Sequence, residues 1–395
     1  MTEPSELTPD QPSSSVLARN LGEPIKLNNL QLNGVSAEAA RDGETFKMWT
    51  RLHLTSDDRS FHRIAESLNG HIQHRASHAG QALNLTRAST ILLVIHPDNT
   101  GDLWLDTAAV ALKIMAKRSV AAGTILLESD IADVTAMSFP YVNISKDDRI
   151  VCIFREGWRF ALFFDFNHHG NLSTKDMERD LGTLHRRLKY RDLYDTLANE
   201  KFFERIVEAG WFPFVEILGT EFQQFIDHCE AGFEFDEVEA NLLTAFDANR
   251  VEKMFRRWMT KPHFEGKRRL LRSALTNFTS GDSVAVLKIV LTEIEGILRA
   301  AYQKAHGKSA KLKPLLEFAV QSAEQKTGQP DTLLFPAAFA HYLKSHTFAD
   351  FDPVAQTGKA SSRHAVGHGE ARPDSYTQER ALQALLTLDQ LAFYT

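Results

Sequence analysis

Apolar positions are spaced differently along the two halves of this chain. From about residue 40 to residue 167 they come in short runs rich in β-branched and aromatic side chains, cut by turn residues, which is the pattern of strands. Thr90–His96 (TILLVIH) stops at Pro97-Asp98-Asn99-Thr100-Gly101, Leu103–Leu105 follows, and Ile125–Leu127 is another short run. Arg149–Phe154 and Trp158–Phe166 flank Arg155-Glu156-Gly157, a three-residue, glycine-containing spacing that predicts a hairpin. Gly157-Trp158-Arg159 and Phe163-Phe164-Asp165-Phe166 are expected to pack the core there. This half is expected to be β-rich or mixed α+β.

After Asn167-His168-His169-Gly170 the period lengthens. Met177–Tyr190, Leu193–Ala209, Val215–Glu230 and Val238–Met259 read as amphipathic helices. Gly210-Trp211-Phe212-Pro213-Phe214 breaks them, because proline disfavours helix at the residue before it. Another helix is predicted from Lys267 to Phe278. The signal is strongest after Ser283, where Leu287, Val290, Ile294, Ile297, Leu298 and Ala301 fall on one helix face. Weaker stripes run through Leu312–Ala323 and Leu333–His346. The last helix is predicted over Thr377–Tyr394, with Ser375 and Gln378 as a capping box. The expected fold class is α+β: an N-terminal β-containing domain (40–167), a helical middle segment (168–280) and an all-α C-terminal bundle (281–395). A Pro- and Ser-rich lead over 1–39 is expected to be disordered.

A length of 395 residues fits two or three domains. Lys+Arg of 45 against Asp+Glu of 51 leaves a net charge of −6, so any contact with nucleic acid is expected to be local. Two cysteines, Cys152 and Cys229, cannot form a disulfide framework, and no Cys/His cluster has zinc-finger spacing. Cys152 lies in an apolar run and reads as a buried small hydrophobe. The first residues lack the basic-then-apolar run of a signal peptide, and no apolar run approaches the ~18 residues of a membrane span. A cytoplasmic protein without a membrane partner is expected.

The short polar segment Ser361-Ser362-Arg363-His364-Ala365-Val366-Gly367-His368-Gly369 lies between two predicted helices, and Arg363 is the only arginine followed by histidine five positions later. Five residues are ~500° of ideal helix, so Arg363 and His368 project ~140° apart. Gly369 suits the left-handed residue that ends a helix. The segment, followed by a loop and the terminal helix with Ala384-Leu385-Leu386-Thr387-Leu388-Asp389, resembles the HEPN family (higher eukaryote and prokaryote nucleotide-binding domains). That family is marked by Arg, a polar residue, three variable positions and His before the last helix. Here Arg363 matches the Arg, His364 the polar position and His368 the His. Leu291–Arg299 resembles the family's first long helix, and the resemblance covers roughly 281–395. It implies a metal-independent endoribonuclease acting as a homodimer on RNA, in toxin–antitoxin or phage-defence settings where an antitoxin is a partner. It equally covers members that have lost activity and serve for dimerisation or nucleotide binding. No cofactor is implied.

The residue types suit this chemistry on their own terms. Cleavage through the substrate's 2′-hydroxyl needs a base active near neutral pH, and histidine is that side chain. A planar guanidinium supplies a fixed cation for the phosphate as charge develops. His364 is a candidate second acid/base. Glu293 and Glu295 lie two apart, on different helix faces, so at most one serves the site. Lys253–Arg272 holds eight basic residues against one acid, with Trp258 and Phe264 interleaved; Arg256, Arg257, Arg268 and Arg269 are the candidate RNA contacts. Asn167-His168-His169-Gly170 reads as a turn, and His71, His74 and His78 as surface histidines sharing a helix face. No phosphate loop, G-x-S-x-G or H-E-x-x-H appears, and no metal site is assigned.

Overall fold

The computed structural model describes residues 19–352, 357–358 and 362–395. Ser361 and the first part of the expected lead, residues 1–18, lie outside them. The chain folds into two compact units. The first holds residues up to Lys113 together with Ala136–Lys189, and the second holds Ile114–Thr135 together with Tyr190–Thr395.

The strands up to residue 165 are β1 (Ile25–Leu27), β2 (Arg51–Thr55), β3 (Thr90–Ile95), β4 (Gly101–Leu105), β5 (Ala111–Ala116), β6 (Ile131–Ser138), β7 (Arg149–Glu156) and β8 (Arg159–Asp165). Six of them form one antiparallel sheet in the order β1-β4-β3-β7-β8-β2, while β5 and β6 form a separate pair. Helix α1 (Phe61–His78) covers one face of the large sheet and α2 (Thr174–Lys189) the other. Ile64, Leu68 and Ile72 of α1 share a core with Ile91, Leu93, Val151 and Ile153. The intervening Leu92, Val94, Ile150 and Cys152 pack with Leu181, Leu184 and Leu188 of α2. Burial on both faces is why TILLVIH is a continuous apolar run rather than an alternating one.

Several expectations are corrected in this unit. The hairpin forms with a tighter loop: Glu156 pairs with Arg159, and Gly157 takes a positive φ of 60° at the turn. Trp158 therefore sits at the tip, 95% exposed, not in the core. Residues 19–39 are placed, and Ile25–Leu27 pairs as an edge strand with β4, so the lead is structured from there. Ile125–Leu127 forms no strand and is exposed. Within the half expected to be β-rich, α1 is a full helix; it carries His71, His74 and His78, of which the last two meet edge to face with ring centroids 4.5 Å apart.

The second unit is helical: α3 (Arg191–Ala198), α4 (Glu200–Glu208), α5 (Thr220–Ala231), α6 (Asp236–Ala245), α7 (Ala248–Trp258), α8 (Pro262–Glu265), α9 (Arg268–Ser280), α10 (Ser283–His306), α11 (Leu312–Thr327), α12 (Pro336–Tyr342), α13 (Arg363–His368) and α14 (Gln378–Tyr394). Two expected long helices are split. Asn199 accepts from the Phe202 amide and restarts the helix as α4, and Asp247 accepts from the Arg250 amide and starts α7. α14 is capped by Thr377, whose side chain accepts from the Arg380 amide, in place of the Ser375–Gln378 box. Residues 190–280 and 281–395 share one hydrophobic core, so the expected boundary near residue 280 does not divide this unit, and α2 belongs with the sheet. α14 lies at the centre of that core, buried on every side from Ala381 to Tyr394. No helix among the described residues is long and apolar enough to cross a membrane.

Candidate functional site

α13 is a single short helix between loops. Ser362 caps it by accepting from the Ala365 amide, and Gly369 ends it in the left-handed conformation at φ 77°. Ala365 and Val366 are buried, and α13 packs against α10. That seating turns Arg363 toward α10, where its Nη2 donates to Glu295 Oε2 at 2.7 Å. Glu295 also accepts from Arg299 one turn later. The Arg363 Nε is buried without a partner, and the side chain keeps 31% of its exposure. Glu293, two residues from Glu295, pairs instead with Lys267 at 2.8 Å. Two positions are ~200° of helix, so only Glu295 reaches the arginine.

His364 and His368 are both exposed. They stand one helical turn apart, and their rings stack with centroids 5.6 Å apart and planes inclined by 28°. The structure therefore brings the two imidazoles together. No hydrogen bond joins either to Arg363 among the described residues, in keeping with the ~140° between positions five apart.

The basic stretch divides into three environments. Arg256 is 77% exposed, with Glu252 3.6 Å away. Arg257 is corrected from a surface cation to an internal one. It donates to both carboxylate oxygens of Asp389 and to Glu216 Oε2 at 2.7–2.8 Å, donates to the Lys117 carbonyl, and lies over the Phe393 ring at 4.7 Å. Burial works against its charge, but Asp389 and Glu216 outweigh that and hold the guanidinium above its ordinary value. Trp258 Nε1 donates to the same Asp389 at 2.7 Å. Arg268 and Arg269 are exposed and line a shallow depression with Phe255 and Arg272. Arg268 has only a 3.4 Å contact with Glu265, and Arg269 has no ion pair among the described residues.

Arg256 and Arg257 open instead onto a cavity of about 610 Å³. Lys253 and Lys261 join them from the same stretch, and Lys117, Arg118 and Lys326 join from elsewhere in the chain. None of these last three stood out in the sequence. The adjacent Lys117-Arg118 pair after β5 was the available signal. Lys117 is 7% exposed, and burial pulls its ammonium down to about 8. Burial and the neighbouring Lys261 pull Lys326 down to about 7. Among the described residues, no group of three or more His, Cys, Asp or Glu could hold a metal ion. No protein-family model, curated protein or solved structure matches this chain.

Proposed function

We propose that the protein is a metal-independent endoribonuclease of the HEPN type, with its centre on α13. The observation that carries this reading is the stacked His364–His368 pair, exposed on α13. Internal cleavage of RNA needs two proton transfers. A base takes the 2′-hydroxyl proton as the 2′-oxygen bonds to phosphorus, and an acid protonates the 5′-oxygen as its bond to phosphorus breaks. His368 is assigned the base, His364 the acid, and Arg363 the charge that meets the phosphate. Arg256, Arg268 and Arg269, exposed outside this centre, are assigned to RNA affinity; Arg257 is not, since its guanidinium is spent on Asp389 and Glu216.

One observation favours a second reading, a non-catalytic dimerisation or nucleotide-binding module. The Arg363–Glu295 pair neutralises the cation that the chemistry needs. The test is incubation of the purified full-length protein with a mixed RNA pool in EDTA. RNA is expected to be cut and DNA spared, since DNA lacks the nucleophile, leaving 2′,3′-cyclic phosphate ends. His368→Ala is expected to lower the rate by roughly 10²–10⁴, the usual worth of a positioned acid or base, with Arg363→Ala comparable. Undiminished cleavage by the Arg363→Ala, His368→Ala double variant would overturn the assignment. An inert wild-type protein would favour the binding module.

A further inference from the structure

We propose that the cavity lined by Lys117, Lys253 and Arg256 binds a compact polyphosphate-bearing ligand of nucleoside-triphosphate size. The inference goes beyond the ribonuclease reading and uses none of its residues on α13.

The first argument is charge without counter-charge. Seven lysines and arginines line this cavity and no acid does. Some of these cations are already matched. Arg118 is held by Asp130 at 2.5 Å, and Arg257 by Asp389 and Glu216. Lys261 and Lys326 donate to main-chain oxygens of Phe393 and Thr395. Lys117 and Lys253 have no carboxylate partner among the described residues, and Arg256 has only its long contact with Glu252. Lys117 is the exceptional case: a lysine only 7% exposed, lining the cavity, with no ion pair among the described residues and only the longer-range pull of Glu216 and Glu221. Burying a charge without a partner is costly, and an anion in the cavity supplies that partner.

The second argument is shape. The cations converge from three separate segments, around Lys117, around Arg256 and at Lys326, onto one concavity. Its volume of about 610 Å³ falls within the ~300–1,000 Å³ of small-molecule sites. A single strand of RNA is served by a groove with open aromatic faces on which bases stack. Here the one lining aromatic is Phe393, and Arg257 already lies over its ring. Met115 and Ala392 give the cavity an apolar floor beside the cations, which suits an organic portion attached to a phosphate chain. The neighbouring cavity of about 620 Å³ shares Lys117, Arg118, Lys253 and Arg257 but is also lined by five acids, Glu216 and Glu221 among them. Phosphate is therefore expected in the first and not in the second.

The test is isothermal titration of the full-length protein with inorganic tripolyphosphate and with ATP, in EDTA, beside a 12-nucleotide single-stranded RNA. Both small probes are expected to bind with dissociation constants in the range of about 1–100 μM. Lys117→Met is expected to weaken both at least tenfold and to fold at least as stably as wild type in their absence. Lys253→Glu, an exposed change that does not threaten the core, is expected to weaken them similarly. Failure of both probes to bind below about 1 mM, or unchanged binding in both variants, would overturn the proposal. So would RNA binding that is lost in these variants and is not displaced by tripolyphosphate, which would make the cavity part of a strand-binding groove. The readout is independent of RNA cleavage: a protein that binds tripolyphosphate but cuts no RNA retains this site and loses only the nuclease.

Discussion

Arg256 and Arg257 are neighbours in sequence with opposite fates, because ~100° of helix separates them. Arg256 faces water, and Arg257 crosses into the core to meet Asp389, 132 residues away. Lys117 shows the same logic without a partner. Glu216, Glu221, Arg250 and Arg257 surround it, with Arg118 and Lys253 also on its cavity, and the acids do not offset the cost of burial. Its folded-state value of about 8 lies below the ordinary 10.5. Between those two pH values the unfolded chain holds a proton that the native lysine has released, so unfolding free energy from this group rises with pH. Below about pH 8 both states are protonated and the term is constant. Wild-type protein is expected to gain on the order of 3 kcal/mol relative to Lys117→Met from pH 8 to 10.5, measured by urea denaturation at each pH. A flat difference would show that Lys117 is not desolvated. Through the same titration, tripolyphosphate affinity is expected to fall as pH rises past about 8.

Helix breaks in this chain are chemical rather than hydrophobic. The apolar stripes of α3–α4 and α6–α7 continue across each break, so periodicity alone joins them. Asn199 and Asp247 separate them by offering side-chain oxygens to the new helix's free amides. The opposite case is Gly182 in the middle of α2, a residue that weakens a helix by propensity. A Cβ there would come within 2.6 Å of the Ala136 Cα on β6, so glycine lets helix and strand backbones approach. Gly182→Ala, which gains up to ~1 kcal/mol in a free helix, is expected instead to destabilise by about 1–3 kcal/mol through overpacking. Thermal or urea unfolding decides the sign. A more stable variant would mean that α2 is not seated this closely.

At the scale of the whole molecule, one chain offers one Arg363 and one His364–His368 pair, with the arginine turned away toward Glu295. On the proposed reading, a two-fold contact through the helical unit would place two copies of each group in one cleft. The protein is expected to be a dimer at micromolar concentration by light scattering, with or without RNA. A monomer under both conditions would count heavily against the cleavage mechanism.

Local periodicity made the large sheet and most of the helices legible, because burial on one or two faces leaves a repeat of two, of three-and-four, or a continuous run. Ser362, Gly369 and the α13 turn between them were likewise written locally, in cap chemistry that involves neighbours only. His364 and His368 share a face for the same reason. The unit boundaries were not legible: Ile114–Thr135 joins helices that begin more than fifty residues later, and α2 joins the sheet behind it. Nor was the complete burial of α14, whose polar residues are matched by distant partners: Gln383 to the Ala209 carbonyl, Gln390 to the Val215 amide, and Asp389 to Arg257 and Trp258. The same holds for the cationic cavity. Its lysines lie far apart along the chain, and whether a lysine is solvated or stranded depends on which surfaces close around it. Helix and strand type follow from neighbouring residues, but burial of a charge and the identity of its partner are set by long-range packing, which a linear pattern does not contain.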